Sequence, residues 1–327
     1  MSDSPPPDVV GLGSYPTPVE RAPRLAAALG LEPDDLVVKR DDLLGLGAGG
    51  NKVRKLERTV AVALRRGATS LVTTGAAQSN HARLTAAAGA RLGLGVELVL
   101  AGDEPPHVAG NLLLDRLLGA RLHWAGAVDT PGLERLAAQR VADLASAGTV
   151  AELIPYGGSN AVGAAAYADA GRELLAQVPD VAHVVVAVGS GGTQAGLVAG
   201  LGTGRVLGVD TGATADPVER VTGLVRELGA DPTGLRLRLD QVGQGYSTFP
   251  EPVRDALVLA ARTEGLVLDP VYTGRALAGL AAAVRDGDVR PGERTVLLHT
   301  GGLPGLFGSA SAPGWAAGLA PGTGSRG

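Results

Sequence analysis

The sequence predicts an α/β protein built on a parallel sheet that helices cover on both faces. Short apolar segments alternate with segments rich in alanine and leucine along the 327 residues, and glycine-rich links join them. Hydrophobic residues make up 45% of the chain and aromatic residues only 3%, so the core must consist of Ala, Val and Leu. The 50 glycines indicate many tight turns and close backbone approaches.

Apolar residues recur with the period that each element requires. Leu25 and Leu29 lie four residues apart in the first predicted helix, and Leu56, Val60 and Leu64 do so in the next. The predicted strands are residues 35–40, 70–74, 95–101, 121–124, 183–188, 204–209 and 295–299. The predicted helices are residues 20–29, 54–66, an alanine-rich segment after His81, 110–118, 131–147, 161–175, 217–228, 252–264 and a segment that opens near Thr273.

The two ends of the chain differ from the rest. Residues 1–15 indicate an N-terminal arm, rich in Ser, Asp and Pro at its start. Beyond Phe307 the chain consists mainly of Ser, Ala, Pro and Gly, with little apolar surface to bury. We therefore expect residues 309–327 to be disordered.

Charge and composition exclude several classes of partner. The formal net charge is −4 and the charges are scattered, so we expect no nucleic-acid and no membrane partner. No apolar run is long enough to span a bilayer, and residues 1–9 lack a charged leader segment, which predicts a soluble, cytoplasmic protein. The chain has no cysteine and its five histidines form no ligand pair, so we predict no metal site.

The lysines are confined to one segment. Of the 29 Lys and Arg residues, only Lys39, Lys52 and Lys55 are lysines. Arginine cannot be deprotonated in a protein, so each lysine in so arginine-rich a chain is a candidate for amine chemistry. Lys52 is the best candidate, because it follows a Gly-Gly-Asn turn at the start of a predicted helix, whose N-terminal field lowers the pKa of an amine.

A glycine-rich loop gives the strongest phosphate-binding signal in the chain. Residues 189–196 read Gly-Ser-Gly-Gly-Thr-Gln-Ala-Gly, and they join the buried strand at residues 183–188 to a helix. In such a loop, bare backbone N–H groups and the helix dipole converge on an anion.

Two common phosphate-binding motifs do not fit this loop. A P-loop ATPase is excluded, because no lysine occurs after Lys55. The dinucleotide fingerprint that Gly189, Gly191 and Asp210 suggest is broken by Gln194 at the third glycine position. A single phosphate monoester fits best.

A lone nucleophilic amine with a phosphate cradle, and with neither thiol nor metal, fits pyridoxal 5′-phosphate (PLP). The chain also resembles the 1-aminocyclopropane-1-carboxylate (ACC) deaminase and D-cysteine desulfhydrase family, whose order and spacing it follows from about residue 16 to residue 308. The desulfhydrases are the closer members. The matching stretches are Lys39-Arg40-Asp41-Asp42 with residues 49–57, Gln78-Ser79-Asn80-His81, residues 189–196, and Asp269-Pro270-Val271-Tyr272 with His299-Thr300-Gly301-Gly302.

The resemblance implies a fold type II PLP enzyme, similar to the tryptophan synthase β subunit, with two open, twisted, mostly parallel sheets flanked by helices. A larger PLP-binding domain would comprise residues 1–54 and 166–308. A smaller, mobile domain of residues 55–165 would close over it. The family also implies a homodimer that acts on a small amino acid.

The same match implies roles for single residues. Lys52 resembles the lysine that forms the Schiff base with PLP and takes the substrate α-proton. The other implied catalytic residues are Ser79, Tyr246 and Tyr272, with both tyrosines facing the substrate. The implied substrate-binding residues are Gln78, Ser79, Asn80 and His81. The implied cofactor-binding residues are Lys52, Asn80 at the ring oxygen, the phosphate-binding Gly189, Ser190, Gly191, Gly192 and Thr193, and Thr273 and Thr300.

Two positions separate the deaminases of this family from the desulfhydrases. Deaminases have Glu where this chain has Thr273, and Leu where it has Thr300. A carboxylate beside the pyridine nitrogen keeps it protonated and makes the ring a deep electron sink, which a hydroxyl does not. Opening a cyclopropane ring needs that sink, whereas expelling sulfide needs only a brief carbanion. The sequence therefore predicts α,β-elimination, from D-cysteine to pyruvate, sulfide and ammonia.

Three alternatives stay open from sequence. The first is ACC deaminase, and the second is β-elimination of another leaving group, such as sulfite from cysteate or chloride from a chloroalanine. Ser247 stands where desulfhydrase-type members more often have Gly, which leaves the pocket shape open. The third is a PLP-binding protein without turnover, against which the joint presence of Lys52, Ser79 and Tyr272 argues.

Overall fold

Two separate sheets form the framework of the protein, for which the computed structural model describes residues 8–321. Six strands form one sheet in the order β1-β2-β10-β7-β8-β9, and four form the other in the order β5-β4-β3-β6. All neighbours run parallel except β1 and β2. The strands are β1 Val19–Arg21, β2 Leu36–Lys39, β3 Ser70–Ala76, β4 Gly95–Ala101, β5 Arg121–Trp124, β6 Ala151–Leu153, β7 His183–Val188, β8 Val206–Asp210, β9 Arg236–Arg238 and β10 Thr295–Leu298.

Helices follow most of the strands, as a parallel sheet requires. Four of them begin with a side chain that accepts a backbone N–H three residues on, namely Ser79, Asp129, Asn160 and Asp216. The helices are α1 Pro23–Leu29, α2 Lys52–Arg65, α3 Asn80–Leu92, α4 Asn111–Leu117, α5 Thr130–Ser146, α6 Ala161–Gln177, α7 Gly192–Leu201, α8 Pro217–Glu227, α9 Glu251–Glu264, α10 Thr273–Arg285, α11 Leu303–Phe307 and α12 Ala312–Ala317.

The last strand of the chain lies inside the six-stranded sheet. Leu297 of β10 is in register with Val38 of β2 on one side and with Val185 of β7 on the other. Every residue of β2, β7, β8 and β10 is buried. Strands that are buried on both faces consist of nearly continuous apolar residues, and this is why they could be predicted from the sequence.

The four-stranded sheet shares its core with α2 and α3. Leu56 of α2 and Leu84 of α3 belong to one buried apolar cluster with Leu71 of β3 and Leu98 of β4. All four strands of this sheet lie between residues 70 and 153, inside the smaller domain that the sequence analysis proposes, and the six strands of the other sheet lie outside it.

Most elements agree with the sequence prediction to within a few residues, and the differences have local causes. The predicted helix over residues 20–29 begins only at Pro23, because Val19–Arg21 pairs with β2 as an edge strand. Two further strands were not predicted, Ala151–Leu153 and Arg236–Arg238. Each is three residues long, too short to show a period.

Both termini are more structured than the sequence predicts. Leu12 and Gly13 donate their N–H groups to the Glu57 carboxylate, so the N-terminal segment is attached to α2 rather than being a free arm. The expected disorder of residues 309–327 is wrong for Ala312–Ala317, which form α12, and Trp315 packs edge-on against Phe249. Residues 1–7 and 322–327 lie outside the described residues.

A buried ion cluster joins the β2 end to α2 and α6. Arg54 donates to the carboxylates of Asp41 and Glu173, and Lys39 pairs with Glu173. Tyr167 donates its hydroxyl to Asp41 at 2.5 Å. Two positive and two negative side chains thus balance, and Lys39 has a structural role rather than a chemical one.

Residues 8–321 contain neither a membrane-spanning helix nor a candidate metal site. No helix there is long and apolar enough to cross a membrane. The same residues contain no group of three His, Asp or Glu side chains that could hold a metal ion.

Candidate active site

A narrow cavity lies where strands of both sheets end. Loops that follow β3, β6, β7 and β10 line it, together with the start of α2. The carboxyl ends of parallel strands are the usual ligand site in such sheets. The lining residues are Asn51, Lys52, Ser79, Asn80, His81, Tyr156, Gly157, Ala187, Gly189, Ser190, Gly191, Thr193, Gln194, Tyr272 and Thr300.

Lys52 is the first residue of α2 and brings its amine into this cavity. The amine donates to Asn51 Oδ1 at 2.9 Å and lies 5.9 Å from the centre of the Tyr272 ring. Burial and, to a smaller extent, the nearby Arg83 lower the pKa of Lys52 from 10.5 to about 8, and Asp269 opposes the shift. A minor but substantial fraction of this amine is therefore neutral near physiological pH, far more than for an ordinary lysine, and the neutral form is what a nucleophile or a base requires.

Asn51 connects the Lys52 amine to the phosphate-binding loop. Its Nδ2 donates to Thr193 Oγ1 at 3.0 Å, and its backbone N–H donates to the Thr300 carbonyl at 3.0 Å. The turn before it needs glycine, because Gly49 has φ +67° and a Cβ there would lie 1.8 Å from the Asp42 carbonyl oxygen. The predicted Gly-Gly-Asn-Lys turn is thus held in place by hydrogen bonds from Asn51 to Thr193 and Thr300.

The predicted phosphate-binding loop forms one wall of the cavity. Gly189, Ser190, Gly191 and Thr193 line it, and Gly192 begins α7. Gly191 has φ +84°, a left-handed conformation that turns the chain from β7 into the helix. The first N–H groups of a helix have no partner within it, so they are available to an anion.

Lys55 lies beneath this loop, and the sequence analysis did not assign it to the site. Its amine donates to Ser159 Oγ at 2.8 Å and more weakly to the Gly157 carbonyl at 3.4 Å. Only 1% of the residue is exposed, and burial together with Lys52 and Arg220 holds the pKa of Lys55 well below its usual value. A buried amine with only neutral partners at an anion loop fits a phosphate. The spacing of three residues from Lys52, which puts both lysines on one side of α2, could have indicated it.

Ser79 and Asn80 begin α3 at the edge of the cavity. Ser79 Oγ accepts the Ala82 N–H at 3.1 Å, so the hydroxyl caps the helix and keeps its own proton for another acceptor. Asn80 Oδ1 accepts from Asn111 Nδ2 at 3.0 Å and from Arg83 Nη2 at 3.4 Å. The remaining donor of the Asn80 side chain is its NH2 group.

The tautomer of His81 follows from its neighbours. Thr73 gives its only hydroxyl proton to the Ile154 carbonyl at 2.8 Å, so the 2.9 Å contact between Thr73 Oγ1 and His81 Nε2 requires a proton on Nε2. Burial, with Lys52 and Lys55, holds the pKa of His81 well below its usual value, so Nδ1 carries no proton. The imidazole can therefore only accept at Nδ1, and any contribution of His81 to carboxylate binding comes from its backbone N–H.

Gln78 is turned away from the Lys52 cavity. Its Nε2 donates to the Ala109 carbonyl at 3.0 Å, and its Oε1 accepts the Asn111 N–H at 2.9 Å. It lines a second cavity of about 290 Å³, which shares Asn80 and Tyr272 with the first. The predicted role of Gln78 in substrate binding therefore stays a prediction, for a side chain whose amide is bonded at both ends to other residues.

The two predicted tyrosines form a pair. Tyr246 and Tyr272 share a hydroxyl hydrogen bond of 2.6 Å, and Tyr246 belongs to the second cavity. Burial raises the pKa of both hydroxyls, so both are neutral. Asp269 fixes the turn, because its carboxylate accepts the N–H groups of Tyr272 and Thr273.

The two predicted threonines differ in position. Thr300 lines the Lys52 cavity. Thr273 is 1% exposed, and its hydroxyl donates to Asp269 Oδ1 at 2.7 Å. Thr300 thus lines the cavity, whereas Thr273 is buried against Asp269 and does not line it.

The cavity contains what PLP requires. The Lys52 amine and the loop over residues 189–193 both line it, and the buried Lys55 amine lies beside that loop, where a bound phosphate would favour its protonated form. Tyr156 also lines the cavity, and burial raises the pKa of its hydroxyl. Tyr156 was not predicted as a site residue, because an isolated aromatic residue carries no pattern.

Known proteins support this interpretation. The family model described as pyridoxal-phosphate dependent enzyme matches residues 10–301. A Pyrococcus abyssi protein, named provisionally as an ACC deaminase, is 40% identical over 307 residues, covering 90% of this chain and 91% of its own. A D-cysteine desulfhydrase from Klebsiella pneumoniae is 39% identical over 313 residues, covering 89% and 93%.

Solved structures agree at the level of the fold. The crystal structure of an ACC deaminase homologue superimposes with a TM-score of 0.87 at 34% identity, covering 95% of this chain and 96% of its own. Threonine deaminase isoform 2 from Solanum lycopersicum gives 0.64 at 19% identity, covering 88% and 79%, and shows the shared fold alone. The chain therefore belongs to the pyridoxal-phosphate dependent enzymes of fold type II, within the group that contains ACC deaminases and D-cysteine desulfhydrases.

Proposed function

We propose that the protein catalyses α,β-elimination from a small amino acid, with D-cysteine giving pyruvate, sulfide and ammonia. The observation that carries the proposal is the Lys52 amine, with a pKa lowered to about 8, at a cavity wall that Thr300 rather than a carboxylate completes. The 39% identity to a D-cysteine desulfhydrase supports the same reaction.

In this proposal the bound cofactor supplies the electron sink that makes the substrate Cα–H bond acidic. The neutral Lys52 amine takes the Cα proton, and the Cβ–S bond breaks. The sulfur leaves as hydrosulfide, HS⁻, and the neutral paired hydroxyls of Tyr246 and Tyr272 would donate a hydrogen bond to it. Water then hydrolyses the aminoacrylate to pyruvate and ammonia.

Binding is assigned to the remaining residues of the cavity. The loop over residues 189–193 and the Lys55 amine would hold the phosphate, and the Asn80 NH2 group would donate to the ring oxygen. The Ser79 hydroxyl and the N–H groups in the first turn of α3 would bind the substrate carboxylate. Each of these groups can donate a hydrogen bond, which suits an anion.

Two observations bear on the leaving group. Asp269 lines the second cavity, but hydrogen bonds from four donor groups occupy its carboxylate, so it is poorly placed to keep a pyridine nitrogen protonated. No arginine lines either cavity among the described residues, which disfavours an anionic side chain such as that of cysteate. An uncharged thiol suits this lining better.

ACC deamination is the second candidate. The 40% identity to a protein named provisionally for that activity favours it. Thr273 does not line the cavity, so of the two threonines only Thr300 can contact a bound ligand and distinguish the two reactions directly.

A product assay tests the proposal. PLP-loaded protein is offered D-cysteine, L-cysteine, cysteate and ACC separately. We expect pyruvate and sulfide from D-cysteine and the loss of both in Lys52→Ala. Formation of 2-oxobutanoate from ACC as the main activity would refute the elimination and support the deaminase. A visible absorbance band of the cofactor that none of the substrates changes would indicate a protein that binds PLP without turnover.

We further propose a homodimer in which residues 55–165 move as a smaller domain. Exposed leucine and phenylalanine side chains support an interface on α4 and α11, where Leu113, Leu117, Leu303 and Phe307 are 53%, 78%, 42% and 69% exposed. The two helices adjoin, because a Cβ on Gly110 would lie 2.5 Å from the Pro304 carbonyl oxygen. Large exposed apolar side chains on adjoining helices are typical of protein interfaces.

A further inference from the structure

The orientation of the Asn80 amide decides whether the cavity meets a donor or an acceptor. A primary amide has an oxygen that accepts and an NH2 group that donates, and exchanging the two reverses what it offers a ligand. Asn80 borders both cavities, so its orientation matters to any cofactor or substrate there. The hydrogen bonds around it determine that orientation.

The chain of hydrogen bonds begins at Arg83, which can only donate. Its Nε lies 3.1 Å from Asn111 Oδ1, so this atom of Asn111 must be the oxygen. The Asn111 NH2 group then faces the other way, where it donates to the Gln78 carbonyl at 3.0 Å and to Asn80 Oδ1 at 3.0 Å. Asn80 must therefore present its oxygen to Asn111, and its NH2 group is left for the cavity.

Arg83 and Asn111 are held rigidly. Both are fully buried, and Arg83 Nη1 donates to the carbonyls of Gly47 and Gly49 at 2.5 and 2.8 Å. The arginine thus attaches α3 to the turn that precedes Lys52. The Asn111 backbone N–H is fixed to Gln78 Oε1 at 2.9 Å.

The guanidinium also has a buried counter-charge. Asp115, one turn after Asn111 on α4, is fully buried, and neither of its carboxylate oxygens has a hydrogen-bond partner within the described residues. Burial raises the pKa of Asp115 to about 7, and Arg83 opposes the rise. Arg83 is therefore not neutralised by a direct ion pair, and its donors remain committed to the neutral oxygens that set the amides.

We propose that Arg83 and Asn111 are positioning residues that hold the Asn80 amide with its NH2 group toward the cofactor, so that the cavity offers a donor and never an acceptor at that point. The inference rests on the proposed role of Asn80 as a ligand of the cofactor ring oxygen. Neither residue touches the reacting atoms.

The substitution Asn111→Asp tests the proposal. Aspartate still accepts from Arg83 but cannot donate to Asn80, so the Asn80 oxygen would face a second acceptor. This repulsion outweighs the long 3.4 Å contact from Arg83 Nη2, and the Asn80 amide reverses and turns its oxygen toward the ring oxygen of PLP. We expect the Kd of the apoprotein for PLP to rise about 10- to 100-fold, the effect of replacing a hydrogen bond by two facing acceptors. The Kd is measured by absorbance titration and does not depend on turnover.

A double-mutant cycle separates this role from a general structural one. If Asn111 acts through Asn80, Asn111→Asp adds less than twofold to the Kd of Asn80→Ala. Effects that multiply in the double variant would overturn the proposal, as would an Asn111→Asp Kd within twofold of the wild-type value. The control Asp129→Asn makes the reverse exchange at the start of α5, where the amide oxygen keeps the bond to the Gly132 N–H, and it should leave the Kd unchanged.

If Asn111→Asp does not fold, Asn111→Ala replaces it in the same cycle. It removes the donor without adding charge, and the same lack of additivity with Asn80→Ala is expected. The outcome is independent of the proposed reaction. Wild-type protein that binds PLP but converts none of the four substrates would refute the elimination. The Kd values of the double-mutant cycle could still be measured in that case, and they would still test the positioning role.

Discussion

In the proposed function single side chains hold the cofactor, and the two lysines of α2 have different roles. Lys52 is partly neutral and faces the cavity, whereas Lys55 is buried with only Ser159 and Gly157 as partners. Burial and the nearby Lys52 and Arg220 disfavour the charged form of the Lys55 amine in the apoprotein, and a bound phosphate would favour that form.

We therefore expect Lys55→Met to weaken PLP binding by about 10- to 100-fold, the value of a hydrogen bond to a charged group. The apoprotein should be as stable as the wild type or more so, because an uncompensated buried amine is removed. Absorbance titration gives the Kd and urea unfolding gives the stability. An unchanged Kd would contradict the assignment of Lys55 to the phosphate.

The lowered pKa of Lys52 predicts a pH dependence. The neutral amine forms as pH rises through about 8, whereas an ordinary lysine requires a pH near 10.5. The rate at which apoprotein takes up PLP should thus rise with pH and level off above a midpoint of about 8. Stopped-flow absorbance measures it, and Lys52→Ala should show no such pH-dependent phase. A midpoint above 10 would show that burial does not act on this amine.

At the scale of elements, the turn between α9 and α10 positions the tyrosine pair. Each carboxylate oxygen of Asp269 accepts hydrogen bonds from two donors of residues 271–273. Asp269→Asn would place an NH2 group against two N–H groups. We expect a loss of about 1–3 kcal/mol in the free energy of unfolding and a lower kcat, because Tyr272 shifts. Asp216→Asn, whose amide oxygen keeps its helix cap, should change neither measurably.

The ion cluster of Lys39, Asp41, Arg54 and Glu173 binds α2 to α6. Arg54→Met would leave two carboxylates facing one lysine in a buried site. The expected loss is about 3–5 kcal/mol in the free energy of unfolding, measured by urea denaturation. Arg121→Ala removes an ion pair whose arginine side chain is 74% exposed, and it should cost less than about 1 kcal/mol. Equal losses would mean that burial does not govern these pairs.

At the scale of the whole molecule, the apolar surface of α4 and α11 predicts the assembly. Light scattering should give twice the chain mass of 32.7 kDa. Leu117→Glu should shift the mass toward that of the monomer, because it places a charge in the proposed interface. The exposed Glu134→Ala on α5 is the control. A monomeric wild-type protein would refute the homodimer.

Patterns that extend over many residues were predictable from the sequence, and pairwise arrangements were not. Period and apolar runs identified nearly every long element, and the chemistry of one amine and one anion loop identified the cofactor. The hydrogen-bond partners of Gln78, His81 and Thr273 were not predictable, because they come from residues whose proximity only the fold establishes. Lys55 and Asn111 were missed for the same reason.

The central place of β10 has a consequence for biosynthesis. β2 leaves the ribosome early, but one of its two neighbours in the sheet begins only at Thr295. The turn before Lys52 is bound by the carbonyl of Thr300, which accepts the Asn51 N–H. Until about 250 further residues have been synthesised, β2 and β7 each present an open edge and the lysine turn lacks its support. Such long-range closure is slow and leaves edges open to aggregation. We therefore expect the chain to bind its cofactor only after β10 has been synthesised. We also expect chaperones to bind the incomplete chain, because its strand edges are still open.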